Sequence, residues 1–538
     1  MWANDFDPRL IAWGVEWGYQ KIFVRCQPFS VFQANIFFPH SFTLAYSDSL
    51  LSLQFFYAPL RILGYGVWSA LYGTLIISTL VGCLLTARAA SRLWQLTALE
   101  LAIIVFCAHF SLPFITTLTH YQLFGFHFAP PLIITAWHLL ERAETRDLIE
   151  ACLLFCFGTG FAMYLAPMSV AVIILTLTIG FMHSARVRQN VWQIATRAET
   201  WIILGVMAST LYLTQLRPYY LVEQQFPPQS FAETWTYSAR PWSLLKLHSI
   251  HSYWYGSGGY GENWDWERAI FPGYLLLTSS ALAAIVMLVQ IRRRLGSHSS
   301  IFAGPMLAAL SVITLLACLM LSMGPYLDVA GTTKLPYYYL TKILPGLQSL
   351  RAPGRFGMLM GLPFGLAAVA TLRALQSPRI KAQLSQAFAL AVIMIESFPL
   401  FATYELTLKH LEAIHQALKG EIQIGTPIVE LPSADGDRFG TLKRIMAQMN
   451  GANIHGGNLV VGYAAKSTHE SDEIVALDGL VQNGGAAPEQ LVQFIRSIPV
   501  SHVLVDRITY RKTALAALET ALRANSERQV ELLQGAAA

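Results

Sequence analysis

Gly66-Val-Trp-Ser-Ala-Leu-Tyr-Gly-Thr-Leu-Ile-Ile-Ser-Thr-Leu-Val-Gly-Cys-Leu-Leu-Thr-Ala87 contains no Asp, Glu, Lys or Arg. A helix of about 20 apolar residues, rising 1.5 Å per residue, crosses the ~30 Å hydrocarbon layer of a bilayer. The rest of the chain repeats this pattern. Hydrophobic residues make up 54% of the 538, charged residues 13%, and mean hydropathy is +0.45. Soluble domains carry about 25% charged residues. A soluble core of this size could not hide so much apolar surface, whereas a bilayer can.

Working outward, apolar runs recur at 98–118, 123–140, 148–163, 166–183, 200–216, 271–291, 301–322, 355–373 and 384–401. The stretch 148–183 is too long for one crossing, and Pro167 splits it by breaking the hydrogen-bond ladder. The fold class expected is therefore mainly α: a polytopic membrane protein of about ten spans. Its parts are a first outer region at 1–65, a transmembrane domain at 66–401 and a small C-terminal α/β domain at 402–538.

Lys and Arg set the orientation. The connections 87–97, 141–148, 184–199, 291–300 and 373–383 hold 13 of them in 56 residues. The segments 1–65, 217–270 and 323–355 hold 12 in 152 residues. The roughly threefold higher density predicts that the first set is cytoplasmic. The chain then sits in the inner (plasma) membrane, with its C-terminal domain extracytoplasmic. An outer N-terminal segment of 65 residues is awkward to translocate without a leading helix, so a first membrane helix is expected upstream of Met1. The net charge of +5, with no basic cluster interleaved with aromatics, argues against nucleic acid as a partner.

The outer segments are rich in aromatics. Leu10–Phe23 reads as an amphipathic stretch whose Trp13 and Trp17 suit the membrane interface. The loop 217–270 gathers Trp235, Trp242, Trp254, Tyr255, Trp264 and Trp266 around a Gly-rich run that lacks the Lys-Ser/Thr of a phosphate loop. Aromatic faces beside polar side chains can stack on sugar rings; they also form interfacial belts. Arg351 and Arg355 are four apart at the start of the run 355–373. Their forks match phosphate oxygens, or else they snorkel at the interface. Glu100, His109, His138 and Glu396 lie in or near the apolar runs, with Glu100 and His138 close enough to an end to reach water. His120 and His127 flank the short outer turn Tyr121–Phe126 and face the side of the large loops.

Hydropathy falls after Phe401. Pro427–Pro432 and Val500–Asp506 read as buried strands, Glu489–Ser497 and Lys512–Leu533 as helices. No Ser/His/Asp or metal spacing stands out there, so this domain reads as accessory. Cys152 and Cys156, four apart on one helical face, read as packing, and the six cysteines form no disulfide framework.

The order of features resembles the GT-C superfamily of membrane glycosyltransferases. The resemblance is carried by Asp7-Pro-Arg-Leu-Ile-Ala-Trp-Gly-Val-Glu-Trp17, Ala34-Asn-Ile-Phe-Phe-Pro-His40, Leu44-Ala-Tyr-Ser-Asp48, Phe271-Pro-Gly273, Leu335-Pro-Tyr337, Leu344-Pro-Gly346 and Arg351-Ala-Pro-Gly-Arg-Phe356. It implies transfer of a sugar from a polyprenyl-phosphate donor to a glycan, lipid or protein acceptor at the outer face. The base would be Asp7, with Asp5 second and Asp48 supporting. Arg351 and Arg355 would hold the phosphate, with His120, His127, Trp254 and Tyr255 lining the site. Asp5-Phe-Asp7 fits the DxD pattern of metal-using members, which implies a divalent cation such as Mg2+ or Mn2+. A carrier or assembly factor for envelope glycolipids, without the chemistry, is the other reading.

Overall fold

The computed structural model describes residues 6–115, 120–226, 230–245, 251–252, 256–257, 265–294, 307–327, 332–344, 347, 350–375, 379–398, 415–433, 438–462, 467–483, 488–506, 510, 512–524 and 530–533. It divides into two units. One comprises Thr74–Thr214 with Pro227–Ala402; the other comprises Trp2–Gly73, Gln215–Phe226 and Thr403–Ala538. This division differs from the three parts expected from hydropathy: the N-terminal segment and the C-terminal domain share one unit.

The first unit is helical. Among the described residues, helix occurs within each of the ten apolar runs. Four helices are long and apolar enough to cross a membrane: Val67–Leu93, Ala98–Ile115, Tyr121–Arg142 and Pro353–Ala374. Four more apolar helices are shorter: Pro167–Met182, Tyr274–Val289, Leu307–Ser322 and Ala382–Ser397. By length and composition the described residues thus supply four crossing helices rather than ten. Helical backbone runs on from Ala198–Leu211 through the π-helical turns Tyr212–Leu216 into Arg217–Glu223.

Pro353–Ala374 is the central element, nearly all buried, and its helical part packs on Ala98–Phe110, Tyr274–Arg294 and Leu307–Ser322. Gly361 permits the closest approach, because a Cβ there would overlap the Cys107 carbonyl of the neighbouring helix. Small residues at such a crossing let helices meet in lipid, where apolar burial alone does not drive association.

The connections 87–97, 141–148, 184–199 and 373–383 meet at one end of this unit. Arg92 pairs with Asp147 at 2.7 Å and with Glu150 at 3.1 Å. The Arg142 guanidinium donates to the Arg92 carbonyl at 2.8 Å, and Asn190 to the Glu141 carbonyl at 2.8 Å. Arg373 pairs with Glu100 at 2.7 Å. Glu100 therefore does not reach water: it is 2% exposed and closes a capping box with Thr97. His138 is likewise buried, with Nε2 3.0 Å from the Ala89 carbonyl.

The second unit is α/β. Four parallel strands run in the order Asn458–Leu459, Pro427–Leu431, His502–Asp506, Val530–Leu533. The two central strands are almost continuously buried, as parallel strands covered on both faces must be. The sequence read 512–533 as one helix; the helix ends at Ala524 and Val530–Leu533 is the edge strand. Helices Arg438–His455 and His469–Gln482 lie between the predicted strands, where no strong 3.6-residue pattern announces them.

The N-terminal helix Phe6–Tyr19 is not an interfacial helix open on one side. Residues 9–18 are all buried, and Leu10, Trp13 and Trp17 share one core with Ile428, Met446, Leu504 and Leu518. Both indole N–H groups find protein acceptors, Asn35 Oδ1 at 3.0 Å for Trp13 and the Val31 carbonyl at 2.7 Å for Trp17. A closed set of hydrogen bonds completes the join. Asn35 donates to Asn453 Oδ1 at 3.2 Å, and Asn453 donates to the Trp13 carbonyl at 3.0 Å. Phe38 N donates to the Leu459 carbonyl at 2.9 Å and Leu459 N to the Asn35 carbonyl at 3.0 Å, so residues 35–38 are hydrogen-bonded to the edge strand. The Ala34–His40 motif is thus a packing element.

Candidate functional site

In the helical unit the described residues of 230–270 and 323–355 are knitted together. Ala239 N donates to the Ser322 carbonyl at 2.8 Å, and Gly354 N to the Tyr237 carbonyl at 3.3 Å. Gly354 must be glycine, since a Cβ would overlap the Glu267 carbonyl. Tyr337, fully buried, donates its hydroxyl to the carbonyls of Leu347 at 2.9 Å and Leu350 at 3.2 Å, and its ring meets Phe356 edge-on at 6.3 Å. The Leu335–Tyr337 and Arg351–Phe356 motifs are therefore two halves of one turn that delivers Arg351 and Arg355 to the head of Pro353–Ala374.

The two arginines have different fates. Arg355 makes a bidentate pair with Glu267, Nε to Oε2 at 3.0 Å and Nη2 to Oε1 at 2.8 Å, and Nη1 donates to the Tyr164 hydroxyl at 2.7 Å. The Glu267 side chain is fully buried. Burial pushes its carboxyl upward, but Arg355, and then His120 and Arg351, outweigh this and hold it below the usual carboxylate range. Glu267 so neutralises Arg355. Arg351 is exposed, its guanidinium 4.7 Å above the Tyr237 ring, and no described carboxylate pairs with it.

Further cations rest on aromatic faces in these loops. Arg240 lies 3.5 Å over Trp235, and Lys334 and Lys342 lie 4.7 and 4.6 Å over Tyr338. Tyr338 in turn meets Phe231 at 5.4 Å and Tyr326 at 5.8 Å. The aromatic richness of the loops is thereby a platform for positive charge. Exposed guanidinium and ammonium groups over rings suit an anionic head group.

His120 and His127 are both buried. His120 belongs to the surroundings of Glu267. His127 does not face the loops: its Nδ1 is 2.9 Å from Nδ1 of His109, whose Nε2 is 2.8 Å from Thr86 Oγ1. Trp254 and Tyr255 lie outside the described residues, as does Asp5. Asp7 lies in the first turn of Phe6–Tyr19 and Asp48 follows Ser47, whose carbonyl accepts the Tyr219 hydroxyl at 2.7 Å. Both aspartates belong to the α/β unit, whereas Arg351, Arg355, His120 and His127 belong to the helical one.

Sequence reasoning missed two clusters. Glu267 sits 88 residues from Arg355 with no periodic relation to it. In the α/β unit, His415, Glu430 and His455 converge, with ligand-type atoms all within 4.8 Å of one another. Burial pushes Glu430 up to about 8, with Arg444 lowering and Asp506 raising it. Burial, then Arg444, takes His415 down to about 4, against Asp506; burial and His415 take His455 down to about 3. The same unit contains a cavity of about 810 Å3 bordered by His415, His455, Arg9, Arg25, Glu16 and Lys419. Glu16, inside the Asp7–Trp17 motif, is held by Arg61 at 2.9 Å and by the Tyr57 hydroxyl at 2.7 Å. No protein-family model matches this chain, and no curated protein is detectably similar to it.

Proposed function

We propose that this protein is an integral membrane glycosyltransferase of the GT-C type. It takes a sugar from a polyprenyl-phosphate donor at the extracytoplasmic face and passes it to an envelope glycan, lipid or protein. The observation that carries the reading is Arg351: an exposed guanidinium on Tyr237, without a carboxylate partner among the described residues, at the head of the membrane-length helix Pro353–Ala374. Arg355 and Glu267 hold the turn that presents it, and Arg240, Lys334 and Lys342 add positive charge on the same two loops. The leaving phosphate of such a donor needs positive charge of this kind. More crossings than the four membrane-length helices belong to this reading. Supporting them are the shorter apolar helices and the meeting of the connections 87–97, 141–148, 184–199 and 373–383 at one end.

The acceptor hydroxyl loses a proton as it attacks the anomeric carbon, and the resemblance assigns that proton to Asp7, with Asp5 and Asp48 as the other carboxylates. A glycolipid carrier is the second reading, favoured by the commitment of Arg355 to Glu267, which leaves one exposed arginine in the motif. The test is incubation of purified protein with radiolabelled lipid-linked sugars. Asp7→Asn should abolish transfer, a loss of about 10²–10⁴ in rate, with donor binding kept. Arg351→Ala should weaken donor binding. Donor binding without transfer by the wild type supports the carrier; no binding to any polyprenyl phosphate refutes both.

A further inference from the structure

The side chains of His415, Glu430 and His455 are 1%, 3% and 3% exposed. Nδ1 of His415, Oε2 of Glu430 and Nε2 of His455 are buried without a hydrogen-bond partner, and His415 Nε2 has only a long 3.5 Å contact with Glu430 Oε1. Buried polar atoms in folded proteins are nearly always satisfied, so three orphans and one long contact in one spot call for a missing partner. Three elements bring them together. Glu430 projects from the central strand Pro427–Leu431, His455 ends the helix Arg438–His455, and His415 lies in the segment before the strand. The His415 and His455 rings are 5.3 Å apart and tilted by 32°. Gly451, one helical turn before His455, makes room for His415: a Cβ there would overlap three atoms of its ring.

We propose that His415, Glu430 and His455 form a binding site for one divalent metal ion of the zinc class. Two imidazoles and one carboxylate are the donor set of zinc sites that keep an open position, whereas Mg2+ and Ca2+ call for an all-oxygen set. The ligand atoms must close from within 4.8 Å to about 3.3–3.6 Å for bonds of ~2.0–2.2 Å, a side-chain adjustment. His415 and His455 both border the cavity, so the fourth position opens on it for water or an anionic oxygen. His455 Nδ1 accepts the Gly457 amide N–H at 3.1 Å, which puts the ring proton on Nε2. For Nε2 to ligate, that proton moves to Nδ1 and the Gly457 bond is given up. This site is separate from the Arg351 loops and does not depend on the transferase reading.

Full-length protein, freed of any affinity tag and of metal by chelation, would be titrated with Zn2+ by calorimetry and with Co2+ by visible absorption. One saturable equivalent per chain is expected, with the d–d bands of four- or five-coordinate Co2+ and a higher melting temperature on loading. His415→Ala, Glu430→Gln and His455→Gln should each weaken binding beyond the ~10–100-fold typical of losing an outer partner. Gly451→Ala, which keeps all three ligands but displaces the His415 ring, should also weaken it. Circular dichroism of the metal-free variants checks folding, and His455→Gln, at a helix end, keeps the test open should Glu430→Gln not fold. No saturable Zn2+ binding overturns the proposal. So does binding that none of the substitutions weakens, or displacement of Zn2+ by equimolar Mg2+.

Discussion

Replacing Glu267 by Ala should destabilise the helical unit by about 3–5 kcal/mol, the usual cost of removing one member of a buried ion pair. The structure explains why the upper part of the range applies. Glu267 is fully buried and Arg355 only 12% exposed, so a guanidinium that has lost its carboxylate has little access to water. Two charge-assisted hydrogen bonds, at 3.0 and 2.8 Å, vanish together. Each is worth about 1.5–3 kcal/mol, and the bond from Arg355 to the Tyr164 hydroxyl does not replace the lost charge. Glu267→Gln should cost roughly half as much, because the amide oxygen still accepts one bond. Arg351→Ala, four residues away but exposed, should change stability by less than about 0.5 kcal/mol. The assay is equilibrium unfolding of detergent-solubilised protein, followed by tryptophan fluorescence, with a double-mutant cycle over Glu267 and Arg355. A loss below 1 kcal/mol for Glu267→Ala, or one of equal size for Arg351→Ala, would refute the division into a holding arginine and a presenting one.

The same pair predicts a pH dependence. Glu267 has a folded pKa below its ordinary 4.5, so its contribution is present above about pH 4.5 and lost as pH falls through the folded value. Wild-type melting temperature should drop on acidification in that window, and Glu267→Gln should lack this component. In the α/β unit, Asn453→Ala leaves Asn35 Nδ2 and the Trp13 carbonyl without their partner and should cost about 1–3 kcal/mol, read by denaturant titration. An unchanged midpoint would show that the join does not stabilise. If the basic connections are cytoplasmic and the crossings even in number, a phosphatase fused after Ala538 is active and a fluorescent protein there is dark. The reverse result refutes that orientation.

Local features were legible and distant pairings were not. The run Gly66–Ala87 announces its helix because hydropathy is a property of consecutive residues, and the basic connections announce a common end because charge density is too. Pro427–Leu431 and His502–Asp506 are readable as buried strands from short apolar runs. The sequence also singled out Arg351–Phe356, though not the reason for its shape. Gly354 is needed because the Glu267 carbonyl lies against it, and Arg355 is spent on the Glu267 carboxylate. The amphipathic reading of Leu10–Phe23 failed in the same way. Trp13 and Trp17 have the composition of an interface belt, but their N–H groups are satisfied by Asn35 and Val31, and Asn453, 440 positions from Trp13, closes the network. His415, Glu430 and His455, 15 and 25 residues apart, lie on three different elements, so no single helical or strand repeat links them. What the sequence by itself determined is what each segment prefers as a solvent. Which charged and imidazole groups meet depended on how separate segments cross, at separations from 15 residues for His415 and Glu430 to 273 for Glu100 and Arg373, because buried polar groups choose partners by proximity in space.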